Sequence, residues 1–286
     1  MRLITFDAGE GPTAGILVGD EIVAVAALQA GAESVRGLLE IHDRDALAAL
    51  GERASECPTR LPRSAVRLLP PVPDPEKIIC MGLNYRDHAE EGKQEIPEHP
   101  RWFAKFANSL IGDGEAVVLP AAHPDYVDYE AELAVVVGRT AHEISEQQAL
   151  DCIAGAMPFN DVSARDLQLQ NPLWTSGKAI DTFAPCGPAL VTLDEAGDLQ
   201  NLALRTRIDG ELVQDGNTRE MIFGVAEMVA WLSRTMTLVP GDIIATGTPA
   251  GVGGIKGIFL RDGQTVEVEV QGLGTVSNPV RAAAAP

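Results

Sequence analysis

Short strand-like runs dominate the chain beyond about residue 115 and limit the folds open to it. The runs are rich in β-branched residues and are bounded by Gly, Pro or Asp, as is typical of strands separated by turns. In chain order they are AVVLP, YEAELAVVVG, LRTRIDGELVQDG, DIIATGTPAGVGG and TVEVEVQGLGTVSNPV. An Asp-Gly pair in RIDGELVQ predicts a hairpin. In the same part of the chain, clear helices are predicted in ISEQQALDCIAGAM and MIFGVAEMVAWLSRTM. Strands outnumber helices, so we expect a β-dominated α+β fold.

The first 70 residues or so predict a small module. LITFDAG, TAGILVG and EIVAVAAL are typical of short strands, and a helical stretch runs from about Ser34 to Ala54. The segment from Pro58 to Pro75 carries six prolines, which excludes a regular helix or a central strand. Beyond it, KIICMG predicts another strand. We therefore expect a small N-terminal β-rich appendage at residues 1–70 and a main domain at residues 71–286.

The net charge of the chain limits the classes of partner that it is expected to bind. Its 286 residues include 41 acidic and 22 basic side chains, for a formal net charge of −19. A body this negative repels phosphate backbones and anionic membrane surfaces, so we expect no nucleic-acid or membrane partner. No stretch reaches the roughly 20 apolar residues that a membrane span requires. Four scattered cysteines without a CxxC pair, and the lack of a signal peptide, predict a cytoplasmic protein.

Three carboxylates form the most informative cluster. Glu130 and Glu132 stand two apart in a predicted strand, so their side chains share one face beside an apolar run. Asp161 follows another apolar stretch. Like charges this close are costly unless a cation intervenes, and an all-carboxylate set suits Mg²⁺ or Mn²⁺. A solvated face of an exposed strand is the alternative explanation for Glu130 and Glu132.

Three further side chains are candidates for catalysis. His88 and Glu91 stand three apart in RDHAEEG, where a helix would place them on one face within hydrogen-bonding reach. An imidazole oriented by a carboxylate can act as a general base, whereas a surface histidine is the simpler alternative. Lys178, in WTSGKAID, can pair with a substrate carboxylate or an enolate, or be an ordinary surface lysine.

Five segments, in a fixed order, resemble the fumarylacetoacetate hydrolase superfamily. They are GLNYRDHAEE, YEAELAVVVG, FNDVSARDLQ, SGKAIDTFAPCGP and GDIIATGTPAGVG, and the resemblance covers about residues 76 to 282. It is strongest to the short-chain acylpyruvases and the 2-hydroxyhepta-2,4-diene-1,7-dioate isomerase-like members. The resemblance implies a mixed β-roll fold and assembly as a homodimer.

The same resemblance implies roles for individual residues. Glu130, Glu132 and Asp161 match the metal ligands, with water completing the coordination shell, and His88 with Glu91 matches a pair that activates water. Lys178 matches the active-site lysine, and Gln168 matches a glutamine that contacts substrate. The backbone N–H of Gly247 and the hydroxyl of Thr248 match groups that hold the substrate carboxylate, although TGTPAGVGG is also explained as a Gly/Pro turn.

Two interpretations favour structural roles. We expect Arg165 to form an ion pair with Asp166 or another acid. Trp102, Phe103 and Phe106 are interpreted as packing residues rather than substrate contacts.

These parts predict an enzyme acting on a small 2-oxo acid. The first hypothesis is a divalent-metal-dependent hydrolase that cleaves a C–C bond in an acylpyruvate through a metal-bound enolate. Alternatives are oxaloacetate decarboxylation, and isomerisation or hydration of a hydroxymuconate-type 2-oxo acid. A non-catalytic 2-oxo acid binding protein is the alternative of another class.

Overall fold

The computed structural model describes residues 1–170 and 172–284. Over these residues the strands are β1 Arg2–Asp7, β2 Pro12–Val18, β3 Glu21–Ala24, β4 Leu61–Pro62, β5 Arg67–Leu69, β6 Ile78–Gly82, β7 Arg101–Lys105, β8 Leu110–Ile111, β9 Val117–Leu119, β10 Val127–Asp128, β11 Ala131–Val137, β12 Ile153–Asn160, β13 Ser163–Ala164, β14 Ala184–Pro185, β15 Leu190–Thr192, β16 Ala203–Ile208, β17 Glu211–Asn217, β18 Ile243–Ala245, β19 Thr265–Val270 and β20 Gly274–Ala282. The α-helices are α1 Val35–Ile41, α2 Arg44–Glu56, α3 Arg86–Glu91, α4 Glu146–Ala149, α5 Arg165–Gln168, α6 Thr175–Lys178, α7 Leu193–Ala196, α8 Val225–Ser233 and α9 Gly253–Lys256. The predicted β-dominated α+β class is confirmed.

The largest sheet joins the beginning of the chain to the rest. Its strand order is β4-β3-β2-β1-β15-β12-β11-β18-β6-β7, with β5 paired to β1. The strands β1 and β15 pair antiparallel, with Leu3 opposite Leu190. The N-terminal strands therefore continue the sheet that carries the candidate site, and the division at residue 70 stays a prediction.

Strand β11 lies at the centre of this sheet and is buried along its whole length. Its alternate side chains pack into different cores, Leu133 and Val135 on one face and Ala134 and Val136 on the other. The first core also contains residues of helix α8 and of strands β16, β19 and β20, and the second core also contains residues of helices α1 and α2. A strand buried on both faces has an almost unbroken apolar sequence, which explains the run LAVVV.

The second sheet, in the order β17-β16-β19-β20-β9, has a different pattern. Buried and half-buried residues alternate strictly along β16 and β19, as in strands with only one face in a core. The predicted hairpin joins β16 to β17, where Asp209 and Gly210 both have positive φ angles. That prediction is confirmed.

Two helix predictions need correction. The stretch from Ser34 to Ala54 is two helices, because Asp43 caps α2 by accepting from the backbone N–H of Ala46. The segment ISEQQALDCIAGAM is helical only as far as Cys152: α4 ends at Ala149, a 3-10 turn covers Leu150–Cys152, and Ile153–Asn160 is strand β12. Alanine-rich sequence favours a helix, but here pairing with β11 and β15 outweighs local propensity. Across residues 1–170 and 172–284, no helix is long and apolar enough to cross a membrane.

Candidate metal centre and active site

The antiparallel pairing of β11 with β12 brings the three predicted carboxylates together. Ala131 lies opposite Asn160, so the residue before β11 and the residue after β12 meet at one end of the sheet. The backbone N–H of Asp161 donates to the carbonyl of Glu130 at 3.0 Å, which fixes this approach. One carboxylate oxygen each from Glu130, Glu132 and Asp161 lie within 4.8 Å of one another, and all three residues are buried. The predicted convergence is confirmed.

Buried cations balance these carboxylates. The Nζ of Lys178 lies 2.7 Å from Oε2 of Glu130 and 2.8 Å from Oδ2 of Asp161. The Nζ of Lys105 lies 2.7 Å from the other carboxylate oxygen of Asp161. Because unpaired charges are costly in the interior, these contacts are what allow ionised carboxylates to be buried here.

Arg165 forms a second layer around the cluster. Its guanidinium contacts Asp128 at 2.6 Å and Glu130 at 2.7 Å. The predicted pairing of Arg165 with an acid is confirmed, but the partner is not Asp166, whose Oδ2 lies 2.6 Å from Nδ1 of His123. Arg165 therefore orients one of the candidate metal ligands.

The two glutamates differ in their protonation. Burial opposes ionisation of Glu130, but the charges of Lys178 and Arg165 outweigh it and lower its pKa to about 2. Burial raises the pKa of Glu132 well above its usual range, and the negative charges of Asp161 and Glu130 add to the effect. Glu132 is thus the more readily protonated of the two glutamates.

The cluster fits a hard divalent cation. Its donors are carboxylate oxygens, which Mg²⁺ and Mn²⁺ prefer, and Glu132 can lose its proton to add a negative charge when a cation enters. The backbone N–H of Gly247 donates to Oε2 of Glu132 at 2.9 Å and holds that carboxylate in place. Glu130, Glu132 and Asp161 would hold the ion.

His88 lies on α3, as predicted, but its expected hydrogen bond to Glu91 is absent. The Nδ1 of His88 is 3.8 Å from Oε2 of Glu91, which is too long for a hydrogen bond. That oxygen accepts from the backbone N–H of Gly251 at 2.8 Å instead. Within the described part of the chain, the buried Nδ1 of His88 has no hydrogen-bond partner, and burial lowers the pKa of the imidazole.

A cavity of about 50 Å³ opens onto the carboxylates. His88, Glu130, Glu132 and Lys178 all line it, so the structure brings together the predicted base, two of the predicted ligands and the lysine. The Nζ of Lys178 also lies 5.1 Å from the ring centroid of Phe103.

The predicted substrate-binding residues have varied positions. Thr248 lines the cavity, but its hydroxyl donates to the carbonyl of Ala131 at 3.0 Å, and the N–H of Gly247 is bound to Glu132. Gln168 lines a neighbouring groove, where its Oε1 accepts from Arg165 at 2.8 Å. Contact of these three residues with a substrate stays a prediction.

Several residues near the site were not predicted or were interpreted differently. Lys105 was missed, as were Gln94 and Trp174, which line the cavity. Phe103 is buried beside the cavity, whereas Trp102 and Phe106 are 45% and 56% exposed, so the packing interpretation is wrong for these two. The alternation of side chains along β7 explains the difference between Trp102 and Phe103.

Comparisons with known proteins assign the chain to a family. The family model described as "Fumarylacetoacetate (FAA) hydrolase C-terminal" matches residues 77–281, so the chain belongs to the fumarylacetoacetate hydrolase family. The chain is 45% identical over 224 residues to oxaloacetate tautomerase FAHD2A, mitochondrial, from Homo sapiens, a match that covers 77% of this chain and 71% of the human protein.

Solved structures extend the likeness over the whole chain. A maleylpyruvate hydrolase from Sphingobium sp. SYK-6, in complex with manganese(II) and pyruvate, superposes with a TM-score of 0.84 at 32% identity, covering 99% of this chain and 100% of that one. A 5-carboxymethyl-2-hydroxymuconate delta-isomerase from Mycobacterium smegmatis gives 0.80 at 33% identity and covers both chains completely.

Proposed function

We propose that this protein is a divalent-metal-dependent tautomerase that interconverts the enol and keto forms of oxaloacetate. The observation that carries the proposal is the imidazole of His88, whose buried Nδ1 has no hydrogen-bond partner among the described residues, in the same small cavity as Glu130, Glu132 and Lys178. Proton transfer at a carbon next to a carbonyl needs a base of this kind and a positive environment for the oxygen. The 45% identity to an oxaloacetate tautomerase supports the same reaction.

His88 and Lys178 have different roles in the proposed reaction. In the keto-to-enol direction, His88 removes a proton from C3 to give an enolate, and a water molecule protonates the enolate oxygen. The imidazolium of His88 then returns its proton to the hydroxide that remains, which restores the water and the neutral base. Burial lowers the pKa of His88, so the imidazole is neutral near pH 7 and ready to accept that proton. Lys178 keeps its positive charge, since the carboxylates of Asp161 and Glu130 outweigh its burial and raise its pKa. Its ammonium stabilises negative charge developing on the oxygen.

The carboxylates Glu130, Glu132 and Asp161 would hold Mg²⁺ or Mn²⁺ next to this cavity. When bound, the ion supplies Lewis-acid polarisation of the 2-oxo group and neutralises the substrate carboxylate. Asp128 contributes indirectly, because it accepts from Arg165 and so positions the guanidinium against Glu130.

Hydrolysis of an acylpyruvate is the second candidate. It is favoured by the maleylpyruvate hydrolase likeness and by the nearness of Glu91 to His88. Activation of water by this pair requires the two side chains to come within hydrogen-bonding distance, whereas Glu91 is bound to Gly251 here. The observed geometry therefore supports tautomerisation more directly than hydrolysis.

The test is a comparison of products. Enol oxaloacetate is added to EDTA-treated protein with or without Mg²⁺ or Mn²⁺, and loss of the enol ultraviolet absorbance is compared with a protein-free sample at the same metal concentration. Pyruvate is assayed in the same samples. We expect metal-dependent acceleration of enol loss with no more pyruvate than in the protein-free sample.

Each other outcome contradicts the tautomerase and points to one alternative. Pyruvate formed from oxaloacetate indicates a decarboxylase. Turnover only of acylpyruvates indicates the hydrolase, and turnover only of hydroxymuconates indicates an isomerase or hydratase. Binding of pyruvate without turnover of any of these compounds indicates a non-catalytic 2-oxo acid binding protein. Homodimeric assembly and a cytoplasmic location stay predictions.

A further inference from the structure

A second, larger cavity adjoins the candidate active site. This outer groove has a volume of about 550 Å³ and shares His88 and Gln94 with the inner cavity. The two spaces are therefore neighbours across these two side chains. A substrate held at the carboxylates could extend past His88 into the groove.

The walls of the outer groove are apolar and exposed. Leu169 is 82% exposed, Tyr126 is 52% exposed and Ile255 is 46% exposed, and the ring of Phe259 lies edge-on to Tyr126 with 5.3 Å between centroids. Exposed apolar side chains grouped around one concave surface are typical of a ligand or partner site.

The charged groups of the groove are already engaged. Arg165 is the one guanidinium or ammonium among the described residues that line it, and it contacts Asp128 and Glu130. Asp166 is paired with His123, and the Oε1 of Gln168 accepts from Arg165. A ligand carboxylate in the groove would find no free cation, while an apolar group would find apolar walls.

We propose that the outer groove binds an apolar alkyl or aryl substituent carried on the far end of a 2-oxo acid. This gives the enzyme a second class of ligand besides oxaloacetate, namely 2-oxo acids with an apolar tail. The inference rests on the proposed binding of the 2-oxo acid end at Glu130, Glu132 and Asp161. The adjacency of the groove to the inner cavity, with which it shares His88 and Gln94, favours a substrate tail over other occupants.

Binding of a homologous series tests the inference without turnover. Pyruvate, 2-oxobutanoate, 2-oxohexanoate and 2-oxo-octanoate carry no cleavable dioxo group, so calorimetric titration in excess Mg²⁺ reports binding alone. Once the tail passes His88, each added methylene should lower Kd about fourfold. The dicarboxylate 2-oxohexanedioate should bind at least about tenfold more weakly than 2-oxohexanoate, because its second carboxylate would lose water without gaining a cation.

Ile255→Arg places a cation on the groove wall at an exposed position. It should weaken 2-oxohexanoate binding about fivefold or more, strengthen binding of 2-oxohexanedioate, and leave pyruvate within about twofold of wild type. The matched control is Ile41→Arg, since Ile41 is 55% exposed at the end of α1 and outside the groove. It should leave the whole series unchanged.

The outcomes separate this inference from the proposed function. If neither pyruvate nor the longer acids bind, 2-oxo acid binding fails and the inference fails with it. If pyruvate binds but Kd does not fall with tail length, or Ile255→Arg acts like Ile41→Arg, only the inference is overturned. Sedimentation velocity decides the remaining occupant: a lower oligomeric state for Ile255→Arg than for wild type would show that a second copy covers the groove, which also overturns it.

Discussion

The ammonium of Lys178 lies 2.7 Å from a carboxylate oxygen of Glu130, inside a site where we propose that Glu130 binds a metal ion. The lysine thus places a positive charge against the carboxylates of the candidate metal site. It compensates negative charge, and it keeps Glu130 ionised at neutral pH.

Replacing Lys178 with Met should separate metal binding from catalysis. Removal of a buried positive charge leaves Glu130 and Asp161 more negative, so we expect Mn²⁺ to bind about tenfold more tightly. Turnover should fall about 100-fold, because the developing oxygen charge loses its partner. Calorimetry and initial rates measure the two effects.

Lys93→Met is the control, because Lys93 is an exposed lysine beyond α3. Both quantities should stay at wild-type values in this variant. Weaker metal binding by Lys178→Met would contradict the electrostatic account of the cluster.

His88→Ala should lower kcat for oxaloacetate tautomerisation about 100-fold while metal affinity stays within about twofold. The control His142→Ala changes an exposed histidine outside the cavity. If His88→Ala turns over at the wild-type rate, His88 is not the base.

The pH dependence of activity follows from the lowered pKa of His88. Its neutral form is the base, so kcat/KM should be constant near pH 7 and fall on the acid side with a midpoint below 6.5. That acid limb should vanish from the residual activity of His88→Ala. A wild-type midpoint above 6.5 would contradict the buried, neutral imidazole.

The titration of His88 should also affect how the stability of the folded protein depends on pH. Burial lowers the pKa of His88, so the folded state binds this proton less tightly than the unfolded state. Its contribution to stability is therefore lost as pH falls below 6.5. Between about pH 7.5 and about pH 5.5, wild type should lose more thermal stability than His88→Ala. Equal losses, measured by calorimetric unfolding, would contradict this.

Replacing Gly247 with Ala should displace the backbone N–H that holds Glu132 and so weaken metal binding. Gly247 has φ +95°, its added Cβ would lie 2.9 Å from Cβ of Asn84, and its N–H holds Glu132. We expect a loss of about 1–3 kcal/mol in the free energy of unfolding and at least about tenfold weaker Mn²⁺ binding. Gly210→Ala is the matched control, because Gly210 also has a positive φ, +83°, and a Cβ added there would have no atom within 4 Å. It should lose stability but keep its metal affinity.

The sequence predicts the metal site well because the alternation of side chains along a strand and the donor chemistry of carboxylates can both be recognised from the sequence. Alternation along a strand places Glu130 and Glu132 on one face, and the donor chemistry of a third carboxylate, Asp161, completes the set. The resemblance places His88 and Lys178 in the same site, and the structure agrees on their position in one cavity.

Other features depend on contacts that no local pattern carries. Lys105 reaches Asp161 from 56 residues away, and Glu91 is bound by Gly251 at a separation of 160 residues. The sequence predicts a helix at the start of the strand Ile153–Asn160. Nearly every side chain of this strand is buried, so apolar and polar residues do not alternate along it as they do in a half-buried strand. Its pairing with β11 and β15 is what makes this segment a strand.

Mn²⁺ titration of EDTA-treated Glu132→Gln is the most direct test of the central claim, that these carboxylates bind the catalytic cation. The amide has nearly the shape of a carboxyl group, and the raised pKa of Glu132 means that the folded protein favours a neutral side chain there, so the fold should be preserved. Wild type and the control Glu56→Gln, which changes the last residue of α2, should bind a single ion per chain. Glu132→Gln should bind at least about 100-fold more weakly and lose metal-dependent tautomerisation. Wild-type Mn²⁺ affinity in a folded Glu132→Gln protein would contradict the account.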